Sequence, residues 1–458
     1  MTYSSARGEP SSETLAGAPR EGGTDGNSGR RVPLSVEEPL PNRVGNRVRH
    51  VIESGPLQRA ALIVATVAFG LAVWFLRRPD QLLHPYVWVE EYQVLNRYQT
   101  QGLLHAVLAP INGYFVWPTS FTVGLGAATS FLHLPVIDYW ASTLWFFATL
   151  CLILVPSSTI RLWWRVGFVV LLVLVPTNPE VFGIAEYAFW WTTLWPLISI
   201  LWSKDVWWLR VPALVLGGMS SLAGAAVVVP YAFLYVVTRQ RRYLVGSAIL
   251  SVTLLVQLTA YLTSARSAKI PLHPASDSIQ VLRNFSDYAF EWLKPTDTDF
   301  LAFAGACLLV AVIGVVVYAA LPKLSQDIAV LIALVLGLLV VGVLSSLPAP
   351  LLADPLVAGP RYYFLPYIVL GWVLLLIAVK SELHFARVGA TVLIVMSLLI
   401  LSQNFSRHDD RVSWSYQLSR CHHTTKPFTV PVQFDGSRAD LWRGLLVITP
   451  ETCRDLGY

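Results

Sequence analysis

Long apolar segments recur along this chain from residue 56 onward, and many approach the roughly 20 residues that a helix needs to cross a membrane. Their spacing predicts about eleven membrane-spanning helices. These lie near residues 57–76, 136–155, 164–177, 188–202, 207–221, 224–237, 243–262, 300–321, 327–346, 362–379 and 389–403. The expected fold is an all-α polytopic membrane domain over residues 56–403, with polar tails at 1–55 and 404–458.

One apolar segment, Gly113–Leu134, is open to two interpretations. It is apolar enough to cross a membrane, yet the stretch "NGYFVWP" interrupts it. If it lies along the membrane surface instead, Arg161, Arg165 and the basic loops that follow all fall on the cytoplasmic side, as basic loops generally do. This choice predicts a long first outer loop, residues 77–135, that contains surface-lying helices.

The same alternation of loop charge orients the two ends of the chain. It predicts a multi-pass membrane protein with a cytoplasmic N-terminus and an extracytoplasmic C-terminal tail. Arg77 and Arg78 oppose this orientation, because they follow the first span on its predicted outer side.

The composition agrees with a membrane protein. Of the residues, 55% are apolar and 13% are charged, whereas soluble domains average roughly 45–50% and about 25%. Residues 1–55 are rich in Ser, Gly, Pro, Arg and Glu, which predicts a disordered cytoplasmic tail. The net charge of +5 is modest, and arginines at span ends suit membrane lipids rather than nucleic acid.

Four carboxylates fall in predicted outer loops. Glu90 and Glu91 are adjacent in "VWVEEYQVL", and Glu180 and Glu186 belong to "TNPEVFGIAEYAFWW". Carboxylates near a membrane either remain solvated in a loop, line a wet cavity or pair with a cation. An adjacent pair suits a general base that takes a proton from an acceptor hydroxyl, because burial and a like-charged neighbour raise the pKa.

No metal is predicted with certainty. The acids leave a divalent cation open, but the sequence has no His or Cys cluster at ligand spacing, and "CHH" at residues 421–423 is a weak zinc signal.

Aromatic residues surround the acids, among them Trp88, Tyr114, Trp190 and Tyr362. Interfacial aromatic belts explain many such residues. Their coincidence with acids in the same loops favours a sugar site, since aromatic faces stack on the C–H faces of sugars.

Arg361, in "GPRYYFLPY", is a basic residue at the start of a predicted span. It is either a span-end residue that snorkels to the membrane surface or a guanidinium fork that binds a phosphate at two oxygens.

The motifs "WVEEYQVL", "APINGYFVWP", "NPEVFGIAEYAFWW" and "GPRYYFLPY", in this order, resemble a group of bacterial, mostly actinobacterial, multi-span proteins similar to GT-C glycosyltransferases. The resemblance covers about residues 57–403. It implies a polyprenyl-phosphate sugar as donor, a first-loop acid at Glu90 or Glu91 and a second-loop acid at Glu180 or Glu186. Arg361 stands where related proteins often carry an Arg-Tyr pair. The group usually has Glu-Asp where this chain has Glu90 and Glu91.

The resemblance implies a protein of the bacterial plasma membrane. The expected function is transfer of a sugar from a polyprenyl-phosphate donor to a cell-envelope glycan or lipid on its outer face, with inversion. Glu90 or Glu91 is the expected base and Arg361 the phosphate ligand. A transporter or flippase of lipid-linked sugars is one alternative. It needs polar residues at mid-membrane, where the predicted spans offer few beyond Gln257. A polysaccharide polymerase or ligase and a non-catalytic assembly subunit are the others.

Two of the four cysteines, Cys421 and Cys453, share the C-terminal tail. Because that tail is predicted outside, where thiols oxidise, they are expected to form a disulfide. The enclosed stretches "KPFTVPVQF" and "WRGLLVIT" alternate in the manner of strands, which predicts a small ordered cap.

Overall fold

The computed structural model of the chain describes residues 55–155, 160–204, 206–264, 274–291, 298–321, 325–346, 361–421, 425–433 and 442–456. Within these ranges, the first ten helices are α1 (Pro56–Arg77), α2 (Pro79–Leu83), α3 (Tyr92–Gln101), α4 (Leu103–Leu108), α5 (Trp117–Ser130), α6 (Leu134–Ile153), α7 (Leu162–Val173), α8 (Ala188–Thr193), α9 (Trp195–Ile200) and α10 (Trp207–Gly218). The others are α11 (Leu222–Ala225), α12 (Val228–Thr238), α13 (Arg241–Thr263), α14 (Pro274–Phe290), α15 (Thr298–Ala320), α16 (Gln326–Ser346), α17 (Arg361–Lys380), α18 (His384–Gln403), α19 (Trp414–Ser419) and α20 (Pro450–Asp455). Two strands, β1 (Phe428–Val432) and β2 (Trp442–Ile448), lie in the tail. The predicted disordered tail, apart from Gly55, lies outside the described residues.

Seven helices in the described ranges are long and apolar enough to cross a membrane, namely α1, α6, α13, α15, α16, α17 and α18. Each corresponds to one of the eleven predicted spans. The other four predicted spans, near 164–177, 188–202, 207–221 and 224–237, are helical but form the shorter helices α7 to α12. The mostly helical, membrane-compatible fold is therefore confirmed, whereas a count of about eleven spans is not.

Prolines and close helix packing explain the short helices. Pro196 lies in the first turn of α9, where its missing N–H is tolerated, and the preceding helix α8 ends just before it. Every residue of α8 and α9 is buried. A Cβ on Gly217 of α10 would collide with Pro196, so glycine permits the close contact of α9 and α10. Helices α8 and α9 therefore pack within the protein.

Buried arginines cap several helix ends. Arg77, which is fully buried, donates to the carbonyls of Val173 and Val175 at 3.1 and 2.9 Å, at the end of α7. Arg210 donates to the carbonyl of Ser199 at 3.1 Å, in the last turn of α9. The last carbonyls of a helix have no partner within it, and a cation there satisfies them. Arg77, which opposed the predicted orientation as a basic residue on the outer side, is therefore buried, where it binds backbone carbonyls.

The Gly113–Leu134 segment does not form a long helix. It contains a turn followed by α5, which has 14 residues and is too short for a crossing. The side chain of Gln257, in α13, accepts from the Phe115 N–H at 2.9 Å and donates to the Phe115 carbonyl at 3.0 Å. Gln257 thereby holds this segment against α13.

The C-terminal tail is an ordered cap. Its strands β1 and β2 pair antiparallel, with Phe428 opposite Ile448. Cys421 and Cys453 form a disulfide with a Cα–Cα distance of 5.5 Å, which confirms the predicted pairing. The two strands lie in the stretches whose alternation predicted them, where β-branched residues favour strands. His422 and His423 lie outside the described residues.

The cap also pairs with the first predicted outer loop. The Val89 N–H donates to the Gln433 carbonyl at 2.8 Å, and the Gln433 N–H donates to the Val87 carbonyl at 3.2 Å. The Asn96 amide, on α3, donates to the Leu445 carbonyl at 2.7 Å and accepts from the Val447 N–H at 3.1 Å. The loop that carries Glu90 and Glu91 is consequently fixed by the end of the chain.

Candidate functional site

Arg361 joins two of the predicted acidic segments. It is the first residue of α17, and its guanidinium donates to Glu180 Oε1 at 2.8 Å and to Glu90 Oε1 at 3.3 Å. The side chains of Arg361 and Glu90 are 17% and 24% exposed, whereas that of Glu180 is 6% exposed. Three residues chosen from separate motifs of the sequence thus form one cluster. Of the two carboxylates that bind Arg361, that of Glu90 is the more accessible.

Glu180 is held from several sides. Its Oε1 also accepts from the Tyr187 hydroxyl, and its Oε2 lies 3.6 Å from an Nη of Arg407, in the C-terminal tail. Tyr187 is buried, and burial raises the pKa of its phenol well above the ordinary value. Tyr187 therefore remains a neutral donor, and Glu180 balances two arginines.

Glu91 faces away from this cluster, into the protein. It ends a 3-10 turn, Val89–Glu91, and only 2% of its surface is exposed. Its carboxylate accepts from the N–H groups of Trp88 and Glu186 at 3.1 and 3.2 Å, which ties the first acidic loop to the second. Burial raises the pKa of Glu91 to about 8, although the two N–H donors oppose the shift.

Glu186 and Asp138 lie beside Glu91 in the buried region. Glu186 is 5% exposed, and burial together with the charges of Glu90 and Glu91 raises the pKa of its carboxyl well above the ordinary range. Asp138, on α6, is 4% exposed and interacts electrostatically with Glu91. Within the described residues, neither oxygen of Asp138 has a hydrogen-bond partner.

Sequence reasoning missed Asp138, although a signal existed. A single acid in the apolar stretch "LPVIDYW" is costly to place there and therefore informative.

The four aromatic residues that were predicted to bind a sugar differ in their burial and in their distance from the charged cluster. Tyr362 lies at the cluster, with the Arg361 guanidinium 5.2 Å from its ring centroid. Trp88 is 1% exposed and packs edge-on against Tyr187, with ring centroids 6.0 Å apart. Trp190 is 6% exposed and lies 4.6 Å from the ring of Phe189. Tyr114 is half-buried in a turn with Ile111. In this structure Trp88 and Trp190 are core residues, and Tyr362 is the member of the set next to Arg361.

A second charged cluster, missed by the sequence reasoning, connects the tail to the site. Arg78 is fully buried and donates to Asp80 Oδ2 at 2.9 Å, to Asp409 Oδ2 at 3.1 Å and to the Tyr86 hydroxyl at 2.6 Å. Arg407 donates to Asp409 Oδ1 at 2.6 Å. Burial opposes ionisation of Asp409, but Arg78 and Arg407 outweigh it, and the pKa of Asp409 is below its ordinary value. Arg78 is the second arginine that opposed the predicted orientation, and its charge is paired with two buried carboxylates in this cluster.

Metal ligation was left open by the sequence. Among the described residues, no group of three or more His, Cys, Asp and Glu side chains is arranged to hold a metal ion. The carboxylates Glu90 and Glu180 are bound to Arg361 instead.

Comparison with protein-family models and with curated proteins finds no match to this chain.

Proposed function

We propose that this protein is a membrane glycosyltransferase, which transfers a sugar from a polyprenyl-phosphate donor to a cell-envelope glycan or lipid acceptor on the outer face of the bacterial plasma membrane. One observation carries the proposal. A partly exposed carboxylate, Glu90, and a partly exposed guanidinium, Arg361, lie 3.3 Å apart at the end of an apolar helix. A base and an anion ligand in contact at such a position suit a donor with a charged phosphate and a lipid tail.

The reaction assigns one role to each group. The Glu90 carboxylate takes the proton from the acceptor hydroxyl, and the acceptor oxygen forms a bond to the anomeric carbon. The bond between that carbon and the phosphate oxygen breaks, and its electron pair leaves with the polyprenyl phosphate. Arg361 offsets the charge that develops on the departing phosphate. Direct displacement from the opposite side inverts the anomeric centre.

Glu90 is a better base than Glu91 in this arrangement. Both oxygens of Glu91 already accept backbone N–H groups, and its side chain is buried. Glu90 uses Oε1 for Arg361, and it is the more exposed of the pair. We therefore assign Glu90 to the chemistry and Glu91 to holding the two acidic loops together.

The disulfide of the tail supports an outer location. Disulfides persist mainly in oxidising compartments, and the cap that contains Cys421 and Cys453 pairs with the first acidic loop. Because the cap contacts the loop that carries Glu90, an oxidised cap supports an extracytoplasmic site.

The contacts of Gln257 make a transporter a less favoured function than a glycosyltransferase. This polar residue, which a transporter could have used at mid-membrane, is fully buried, and its amide is bonded to the Phe115 and Gly218 backbone. A polymerase or ligase would use the same charged cluster with a different acceptor.

The test is an assay of purified full-length protein with a panel of radiolabelled polyprenyl-phosphate sugars and an envelope lipid extract as acceptor. Transfer of label to the extract supports the proposal. Movement of intact donor across a vesicle membrane without transfer would contradict it and favour a flippase. Label in long polymers would favour a polymerase.

A further inference from the structure

Arg407 extends from the C-terminal tail into the acidic cluster. Its backbone N–H donates to the Arg77 carbonyl at 3.0 Å, at the end of α1, and its side chain is 11% exposed. The guanidinium also lies over the ring of Trp88, 5.8 Å from the centroid. A residue just beyond the last membrane-compatible helix is thereby fixed against the first acidic loop.

Glu180 lies between two arginines. Arg361 binds its Oε1 at 2.8 Å, and Arg407 is 3.6 Å from its Oε2. The two oxygens of a carboxylate share one plane, so a cation that holds one oxygen also determines where the other points. The position of the oxygen that Arg361 binds is therefore set in part by Arg407.

The surroundings of Arg407 keep its guanidinium in place. Its Nε donates to Asp409, which also binds Arg78. Arg78 in turn donates to the backbone carbonyl of Glu180 at 3.3 Å. Glu180 is thus held at its carboxylate by Arg407 and at its backbone by Arg78, and both arginines share Asp409.

We propose that Arg407 is a positioning residue of the lipid-phosphate site: it holds Glu180 so that the guanidinium of Arg361 stays aimed between Glu180 and Glu90. This inference rests on the proposed function, because it takes the phosphate of a polyprenyl monophosphate as the ligand of Arg361. When Arg407 is lost, Glu180 is free to turn further onto Arg361 and compete with that phosphate. Donor binding should weaken, while the chemical step at Glu90 should change less.

The experiment measures binding of farnesyl phosphate, a short polyprenyl monophosphate, to the full chain in nanodiscs by calorimetry. The variants are Arg407→Gln, Arg407→Lys, Glu180→Gln and the double variant Arg407→Gln with Glu180→Gln. Arg454→Gln is the matched control, because Arg454 is an exposed arginine of the same tail. Thermal unfolding of each variant establishes that it is folded.

Arg407→Gln is expected to weaken binding about tenfold, and Arg407→Lys less, since a lysine keeps the charge but not the fork. In the Glu180→Gln background, Arg407→Gln should cause little further change, because the two residues act through one contact. Arg454→Gln should bind like the wild type. In transfer assays, Arg407→Gln should raise KM more than it lowers kcat.

Equal losses from Arg407→Gln with and without Glu180 would overturn the inference, and so would wild-type affinity of the Arg407→Gln variant. If Arg407→Gln does not fold, the Arg407→Lys variant in both backgrounds decides by the same criterion. Failure of the wild type to bind farnesyl phosphate would overturn the proposed function itself, and the inference with it. Binding by the wild type without coupling would overturn the role of Arg407 alone.

Discussion

At the scale of single residues, the adjacent acids Glu90 and Glu91 have different environments. They lie in a 3-10 turn, where consecutive side chains project about 120° apart because there are three residues per turn. Glu90 therefore reaches Arg361. Glu91 is buried and accepts from the Trp88 and Glu186 N–H groups. The sequence predicted the pair as a unit but not this division, since the turn depends on contacts with Gln433, far along the chain.

Glu91 should make the folded protein less stable as the pH rises. Its pKa is about 8 in the folded protein, above its ordinary value of 4.5. Between these values the folded state holds the proton and the unfolded state does not, so the free energy of unfolding falls as the pH rises from about 4.5 to about 8. We expect Glu91→Gln to reduce the decline in Tm between pH 5 and pH 8 by on the order of 5 °C.

Thermal unfolding in detergent at a series of pH values measures this decline. Glu451→Gln is the control, because Glu451 is an exposed glutamate in the tail. A decline in Glu91→Gln as steep as in the wild type would show that Glu91 does not carry the proton.

Arg361→Lys should weaken donor binding although it preserves the charge. Arg361 binds Glu180, Tyr187 and Glu90 through two different nitrogens, and a lysine has one. We expect a rise in KM for the donor of about tenfold, which is roughly 1.4 kcal/mol of binding. Arg387→Lys, at an exposed arginine of α18, is the matched control. An unchanged KM in Arg361→Lys would reduce Arg361 to a snorkelling residue.

At the scale of elements, hydropathy located the helices better than it measured their lengths. All seven membrane-compatible helices were predicted, because long apolar runs are distinctive. The segment near 188–202 forms α8 and α9, interrupted near Pro196 and buried on all sides. A short helix inside a protein and a membrane span have similar composition, so hydropathy cannot distinguish them. Pro196 and Gly217, at the contact of α9 and α10, were the local signals that this segment forms short packed helices.

The cap should stabilise the first acidic loop through its disulfide. Cys421→Ser with Cys453→Ser opens a closed segment with a sequence separation of 32, which should cost roughly 3 to 4 kcal/mol of stability, a model-dependent value. Because Gln433 pairs with Val87 and Val89, amide exchange should rise across this loop and transfer should fall.

Hydrogen exchange with mass spectrometry of peptides covering residues 85–101 measures this effect. Cys151→Ser, which removes a cysteine with no disulfide, is the control. Unchanged exchange in the double variant would mean that the cap does not support the loop.

At the scale of the whole molecule, the ends of three long helices meet on one side. The last residue of α1 and the tail after α18 are joined at Arg77 and Arg407, and α17 begins there with Arg361. The alternation of loop charge predicted that the acidic loops and the tail share a side. It could not predict their contacts, because residues near 78–91 and 407–433 have no local pattern that relates them. Residues 265–273, 292–297 and 347–360, which belong to predicted outer segments, lie outside the described residues.

The orientation gives a labelling prediction. In a Cys151→Ser, Cys307→Ser background, a cysteine in place of Tyr416 should react with an impermeant maleimide on intact cells, because Tyr416 is 64% exposed on the cap side. A cysteine in place of Trp208, which is 77% exposed and lies next to a predicted cytoplasmic loop, should react only after permeabilisation. The reverse pattern would place the acidic cluster in the cytoplasm.

The assignment of Glu90 as the base is tested by the transfer rate of Glu90→Gln, with Glu451→Gln as control. The glutamine keeps the size of the side chain and an oxygen that can accept from Arg361, so farnesyl phosphate binding should change little. Loss of a general base should lower kcat by roughly 10²- to 10⁴-fold. Turnover of Glu90→Gln close to that of the wild type, with the same donor and acceptor, would contradict the assignment of Glu90 as the base.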